Sequence, residues 1–412
     1  MANTFINSTL LSKEAAVEFS LANTFYATAN HKYEGMFTNA TYKPGTSVDI
    51  RLDNGAIVQR GNSVVAKDIK ETYETLTLQD LYSTYVEYDT VDFSTKVGAD
   101  NWKEQIFLPQ VRALVGEINK DIAADAETVS YMHLGTPGTA ISTFKTVDTA
   151  GAIMFGRGIA PAQPWYLAIT AGDATELKAS LQNSFNTTLN QEISLQSRLG
   201  RLSYFDIMMD QSIAVHQPYK DDVLTASSIQ VNAAVSSGST IVLKGLTASK
   251  TGIIKAGDVL EITGVQSVNR ITRATTGRNM QFVVQADADS TAGGLATVTV
   301  SPTIISDTNN PNQNVTNAVP EDGVVTINGV DGTAIQVNHN INLSYSENGL
   351  YIVTPPLAPL DSPDSSVFKD AKSGLSLRVS KDADVANSTN RMRVDILVGY
   401  LWIGTQVVRT MS

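Results

Sequence analysis

From Asn101 to Tyr131 the apolar residues Phe107, Val111, Leu114, Ile118 and Ile122 recur at intervals of four, three, four and four, and Val115 widens the stripe. Glu104, Arg112, Glu117, Asn119 and Lys120 lie mostly off it. The spacing predicts a long helix with one apolar flank. At about 1.5 Å per residue, roughly thirty residues make a rod about 45 Å long, more than the width of a small domain, so something extended must pack along it. Pro109 marks either a kink or the true first turn, because proline is comfortable only at a helix's first positions.

Before the rod, Leu10 to Asn30 predicts a first helix with Ser12 as its cap and Ala15, Ala16, Phe19, Ala22, Phe25 and Tyr26 on its apolar side. From Gly45 the period changes to two. Val48, Ile50 and Leu52 alternate with Asp49 and Arg51, Asp53-Asn54-Gly55 supplies turn chemistry before Ala56 to Gln59, and two further alternating stretches carry Leu76 and Leu78, then Tyr82, Val86 and Tyr88. This two-sided β excursion carries Glu71, Glu74, Asp80, Glu87 and Asp89, which suit a solvated or partner-facing edge; a simple surface hairpin fits the same pattern.

After the rod come a Gly/Pro turn at Gly135 to Gly138, a shorter helix from Thr143 to Phe155, a buried strand within Trp165 to Thr170, and a helix with capping-box spacing at Asp173 to Glu176. The stripe of that last helix runs through Leu177, Leu181, Phe185 and Leu189, and Gly200 to His216 returns to strand. From about Asp222 to Asn340, short strand candidates (SIQVNAAV, STIVLKG, DVLEITGV, NMQFVVQA, LATVTVS, GVVTING) are separated by Gly, Ser, Thr, Asn and Asp. They predict a small β-barrel or sandwich. Leu350 to Thr354, Gly374 to Ser380 and Arg391 to Thr410 supply further strands; if these pair with the region before Asp222, the β-rich module is an insertion.

The 412 residues, 42% of them hydrophobic, can bury two or three domain cores. A formal charge of −11 disfavours a general nucleic-acid-binding surface without excluding a local positive face. There is no cysteine, which removes disulfides, thiol nucleophiles and thiolate metal sites and fits a reducing compartment. The start lacks the pattern of a secretion signal and no apolar stretch approaches a membrane span, so synthesis in the cytoplasm and no membrane partner are expected.

Chemistry-bearing motifs are few. His31, His133, His216 and His339 sit in no close ligand spacing and are each read as structural or solvated. There is no GxSxG elbow and no phosphate-binding loop. Asp287 with Asp289, and Asp382 with Asp384, read as solvated loop carboxylates, with incidental cation binding as the other possibility; a glycoside hydrolase is left open because its carboxylates need not be close in sequence. Tyr73, Tyr82, Tyr85 and Tyr88 suit either an interface or cross-strand packing. Arg270, Arg273 and Arg278 form a basic candidate patch, either a solvated face or a partner contact. No catalytic residue, cofactor or metal is expected.

The terminal stretch GLSLRVSKDADVANSTNRMRVDILVGYLWIGTQVVRTM, with Arg391, Asp395, Leu397 and Gly399 leading into a final apolar strand, resembles the end of tailed-bacteriophage major capsid proteins. NINLSYSENGLYIVTPPL resembles the segment that rejoins the core after an inserted β-domain in one subgroup of that family. The resemblance implies an α+β tailed-phage capsid fold: residues 1–35 as N-terminal arm, 45–95 as extended β loop, 96–221 as spine helix and first part of the peripheral and axial core, 222–343 as inserted β-barrel or sandwich, and 344–412 as the remainder of the core. It further implies a non-enzymatic shell subunit, assembled in the host cytoplasm into pentamers and hexamers of a virion capsid. The partners would be many copies of itself, a scaffolding protein, a portal ring and packaged double-stranded DNA. Phe19, Tyr26, Glu71, Glu74, Tyr82, Tyr85, Tyr88, Arg270, Arg273 and Arg278 are the expected interface residues. A virion decoration protein, adhesin or carbohydrate-binding protein built around the β-rich module is the alternative.

Overall fold

The computed structural model describes residues 8–38, 45–52, 55–62, 69–92, 102–159, 163–181, 200–219, 229–329, 337–361, 364–370 and 374–412. Asp53-Asn54 of the proposed turn, and Phe185 and Leu189 of the proposed stripe, lie outside these residues. The longer helices are α1 (Ser8–Ala22), α2 (Thr24–Thr28), α3 (Glu34–Thr38), α4 (Leu108–Val129), α5 (Phe144–Gly156) and α6 (Ala171–Leu181). The strands are β1 (Ser47–Arg51), β2 (Tyr73–Asp89), β3 (Met132–Gly135), β4 (Trp165–Ile169), β5 (Arg201–Leu202), β6 (Phe205–Met209), β7 (Val215–His216), β8 (Gln230–Val231), β9 (Ser237–Lys244), β10 (Val259–Val268), β11 (Thr275–Val284), β12 (Ala296–Ile305), β13 (Val325–Ile327), β14 (His339–Ser346), β15 (Leu350–Val353), β16 (Asp364–Lys369), β17 (Ser376–Asp384), β18 (Thr389–Trp402) and β19 (Val407–Met411). The class is α+β. The chain divides into two compact units, one of Met1–Ile50, Thr75–Ile122 and Leu350–Leu401, the other of Arg51–Glu74, Ala123–Gly349 and Trp402–Ser412.

The first unit is built on a sheet in the order β1-β2-β18-β17-β16, with β15 also against β18. The two alternating stretches expected after Gly45 are one 17-residue strand, β2, which pairs antiparallel with β18 from Asp89↔Thr389 to Thr77↔Tyr400. No glycine or proline interrupts it, so nothing in the sequence turns the chain. Ala56 to Gln59, expected as a strand, is irregular. The pairing shifts register between Leu397 and Gly399, and a Cβ at Gly399 would lie 2.9 Å from a Leu78 methyl and 3.1 Å from the Thr77 carbonyl, which is why that position has no side chain.

The predicted rod is present, and its first turn resolves the role of Pro109. Residues Lys103–Phe107 form a π-helical turn in which the Leu108 amide bonds to the Lys103 carbonyl, five residues back. Proline at 109 cannot bond to the carbonyl four residues earlier and its ring crowds it; a wider turn just before it relieves the clash without ending the helix. Phe107, Val111, Leu114, Val115, Ile118 and Ile122 are all buried, as the periodicity requires. The Tyr82 hydroxyl donates to Asp121 (2.7 Å) and Thr84 donates to Gln110 (2.5 Å), so β2 and the helix run antiparallel along each other. What packs along the rod is therefore a strand of similar reach.

The first helix ends at Ala22, and Asn23 caps α2 by accepting from the Tyr26 amide (2.8 Å). Ser12 does not cap α1: it lies within the helix and donates to the Thr9 carbonyl (3.0 Å). Ser8 instead donates its amide and hydroxyl to Asp364 at the start of β16.

The second unit contains a sheet in the order β3-β19-β14-β4-β6-β5, with β7 against β14, and a second sheet in the order β13-β10-β11-β12-β9-β8. The second closes on itself: Val231 donates to Gly323 (3.0 Å) and Val325 donates to Ile229 (2.9 Å), which joins β8 to the strand carrying β13. The β-rich stretch is thus a six-stranded antiparallel barrel. Register puts Leu260 opposite Phe282 and Ile327, and Val298 opposite Ile241, all buried inside it. Helix α6 starts three residues before the spacing suggested. Thr170 accepts from the Asp173 amide and donates to the Asp173 carboxylate (2.8 Å), a reciprocal cap.

In the first unit, Asp395 is fully buried and accepts from Arg378 (Nε 3.0 Å, Nη2 2.6 Å) and from Arg393 (Nε 2.5 Å). Asp395→Ala leaves the buried Arg378 charge without its counterion and is expected to destabilise this unit by about 3–5 kcal/mol. Urea unfolding followed by fluorescence checks this; a loss below about 1 kcal/mol would show that the pair contributes no more than a surface one.

Candidate functional site

The most concentrated polar chemistry among the described residues lies inside the second unit, where the chain leaves the core sheet for the barrel and comes back. β7 pairs with the first residues of β14, His216 opposite His339 and Val215 opposite Asn340. The outgoing and returning chains are therefore neighbours, and the two imidazoles lie 5.0 Å apart. From the end of α4 comes Glu127, and from the turn before β10 comes Asp258. His216 Nδ1 lies 2.5 Å from Glu127 Oε1, and Nε2 lies 3.0 Å from Asp258 Oδ1. Both ring nitrogens face carboxylate oxygens, which only accept, so both contacts are satisfied when the ring carries two protons.

The surrounding groups complete the charge balance. Asp258 also accepts from Asn328 Nδ2 (2.6 Å) and the Lys255 amide (2.7 Å). Arg409, on β19 and fully buried, donates to the Glu127 carbonyl (3.3 Å) and the Gly257 carbonyl (2.5 Å). It thereby satisfies a carbonyl in the last turn of α4 and one in the barrel's entry turn at once. Two cations thus stand with two carboxylates. Gly257 has a φ of +90°, and a Cβ there would lie 2.6 Å from the Glu127 side chain, so the turn approaches the helix as closely as backbone allows.

Burial would lower the His216 pKa, but hydrogen bonds and charge from Asp258 and Glu127 outweigh it and hold the value above the ordinary one. No carboxylate is hydrogen-bonded to His133 or His339 among the described residues; only the charge of Asp258 reaches His339, as the smallest of its effects. Burial, then the charge of Arg409 and of the neighbouring histidine, pushes His133 down to about 3. For His339, burial is the largest effect and His216 and Arg409 add to it; the Val337 carbonyl, which accepts from Nδ1 (3.0 Å), opposes them, and the value falls to about 4. Burial also lowers Arg409, to about 10, so it remains charged at neutral pH.

Side-chain amides make further ties between barrel and core sheet. Gln281 accepts from the His133 amide (2.9 Å) and donates to the His133 carbonyl (3.2 Å), which imitates one rung of a strand pair. Gln285 donates to the Thr128 carbonyl (2.8 Å), and Asn269 donates to the Gly156 carbonyl at the end of α5 (2.7 Å). Beneath them the apolar core is continuous and includes Met132, Trp165, Phe205, Leu260, Phe282 and Met411.

The residues expected at an interface are not brought together. Phe19 and Tyr26 are 1% and 3% exposed, their rings 5.6 Å apart edge to face, with His31 against Tyr26; they build the core of their own unit. Along β2 the strand's alternation separates the tyrosines. Tyr82 and Tyr88 turn inward, to Asp121 and to the ring of Trp102 (5.3 Å), while Tyr85 is 55% exposed with its hydroxyl near Glu87 (3.2 Å). Burial, then the Asp121 hydrogen bond, raises the Tyr82 pKa. Glu71 and Glu74 are exposed, Glu71 within 3.4 Å of Arg51.

The arginine patch also separates. Arg273 donates to the carbonyls of Thr308, Asn310 and Pro311 and to the Gln313 side chain, so it holds a barrel loop together and is not a free cation. Arg270 is half-buried. Arg278 is exposed at the mouth of a pocket of about 230 Å³, which Arg157 and Glu261 also line. Asp287 and Asp289 bond to the turn at Gly252–Ala256, and Asp384 pairs with Arg391 (3.0 Å).

Residues 206–408 match the family model described as P22 coat protein. A curated relative, the major capsid protein of Acyrthosiphon pisum secondary endosymbiont phage 1, is 28% identical over 332 residues, 77% of this chain and 75% of that one. Among solved structures, the capsid of Ralstonia phage GP4 is 6% identical, covers 94% of this chain and 88% of its own, and has a TM-score of 0.48. A Mycobacterium phage Che8 structure is 12% identical, with 94% and 90% covered and a TM-score of 0.47. Superposition scores this low leave the two sequence matches to carry the relationship. They support a phage major capsid protein, in keeping with the resemblance of the terminal segment.

The neutral histidines set an acid limit for the second unit. The folded-state values of His133 and His339 lie below the ordinary 6.5, so the unfolded chain takes up protons first as pH falls. Their contribution is complete above about 6.5 and is lost as pH falls toward about 4 for His339 and about 3 for His133. Thermal midpoints recorded across this range should decline with acid, and His339→Gln should flatten the decline; an equal slope in the variant would remove His339 as a cause.

Proposed function

We propose that this chain is a major capsid protein, a structural subunit that assembles in many copies into an icosahedral shell. The observation that carries the reading is the match to a curated major capsid protein across 332 residues, 77% of the chain. The family-model match supports it independently, because residues 206–408 include the barrel, the returning strand β14, and the long strand β18. Both matches point to a structural role and not an enzymatic one.

The finer assignments follow from this reading. The barrel within 222–343 is an inserted domain, since its flanking strands β7 and β14 pair with each other in the core sheet. Residues 1–35 are the arm, 45–95 the extended loop, and 96–221 with 344–412 the peripheral and axial core. Assembly proceeds in the host cytoplasm with a scaffolding protein and a portal ring, and the shell encloses double-stranded DNA without reading its sequence. A closed shell requires complementary surfaces on every copy. Glu71, Glu74, Tyr85 and Arg278 remain as contacts because all four are exposed.

Coexpression with a candidate scaffolding protein, followed by negative-stain microscopy, should give closed shells of uniform curvature. Isolated globular particles only would overturn the reading. Tyr85→Lys should reduce shell yield at least severalfold while changing monomer stability by no more than about 0.5 kcal/mol, because the side chain is exposed and carries no core packing. An unchanged yield would remove Tyr85 from the contact.

A further inference from the structure

We propose that His216 is a proton-dependent clasp: as an imidazolium it ties the barrel, through Asp258, to the end of α4, through Glu127, and when it loses a proton one of the two ties is released. The geometry carries the inference. The ring is 1% exposed and lies in line between two carboxylates, one in the barrel and one on the helix. A neutral imidazole has one N–H, so its other nitrogen would turn a lone pair toward a carboxylate oxygen. Buried repulsion of that kind has no water to screen it.

The two carboxylates respond differently. Asp258 is fully buried and keeps the Asn328 and Lys255 hydrogen bonds whatever His216 does. Glu127 has a side chain 24% exposed, so it can turn to solvent. Deprotonation should therefore free the Glu127 side chain and leave Asp258 in place, so that the helix end keeps only the Arg409 and Gln285 bonds to its carbonyls. Three other charged or titratable groups face this site. His339 lies 5.0 Å away on β14, Arg409 on β19 holds the Glu127 and Gly257 carbonyls, and His133 on β3 feels the charge of both. Lys255 carries the remaining nearby charge, and its ammonium group is engaged by Asp287 (2.7 Å).

The sign follows from the shift. The folded-state pKa of His216 is raised, so its contribution is complete below the ordinary value near 6.5 and is lost as pH rises through the folded value. This is opposite to His133 and His339, so the junction is firmest between the two limits. The clasp belongs to the folded chain alone and stands whether or not copies assemble.

Hydrogen–deuterium exchange of the full-length monomer tests it, read in peptides spanning Ala123–Ser130 and Ile253–Ile262 and corrected for the intrinsic pH dependence of exchange. Protection should fall by up to about tenfold per pH unit above about 6.5, until the folded value is passed. Glu127→Gln removes one carboxylate and should move the midpoint down by about one unit. His216→Gln should give low protection with no midpoint. A flat wild-type profile between about pH 6 and 10, or an unmoved midpoint in Glu127→Gln, would overturn the clasp. If His216→Gln does not fold, the Glu127→Gln midpoint still decides, since that side chain is partly exposed.

Discussion

The second unit depends on buried charges that are affordable only together. Arg409, and His216 when protonated, are cations with almost no access to water, and Glu127 and Asp258 are their counterions. Burying any one alone would cost several kcal/mol, on the order of the whole stability of a domain. As a set they fix the angle at which three separate elements meet: the end of α4, the turn entering the barrel, and the final strand. The continuous apolar core beneath supplies the attraction, but apolar contact is non-directional, and the charged groups select one arrangement from many.

The first unit applies similar physics to a different end. There the buried carboxylate is Asp395, held by Arg378 across the strand pair and by Arg393 from its own strand. Its effect is to pin the register of β17 against β18. A slip by one residue would turn a buried carboxylate to the opposite face of the sheet and leave the Arg378 guanidinium without it.

How much of this was legible in the sequence depended on range. Elements held by local periodicity were readable: the stripe from Phe107 to Ile122, the short strands β9 to β12, and α5, expected from Thr143 to Phe155 and found from Phe144 to Gly156. Elements whose pattern is flat were not. β16 has no clean alternation, since its residues are mostly half-buried, and β3 is four residues long. The charge cluster was invisible to spacing rules because its partners lie 42, 89 and 282 residues apart. One signal was present: Arg409 interrupts an otherwise apolar terminal strand, and a lone cation in such a strand implies a buried counterion elsewhere. The role of Arg273 was unreadable for the converse reason. Proximity in sequence says nothing about where a long side chain turns, and Arg273 turns inward to four loop acceptors.

The closure of the barrel has a consequence for crowding. An open six-stranded sheet ends in two rows of unpaired amides and carbonyls, and each row is a template on which another chain can grow. The bonds from Val231 to Gly323 and from Val325 to Ile229 pair the two end strands with each other where they meet. Among the barrel's ties to its own core, the single glutamine and asparagine side chains cannot propagate a ladder. Six strands can therefore stand beside their counterparts on adjacent molecules at very high local concentration with less edge open to runaway fibril growth.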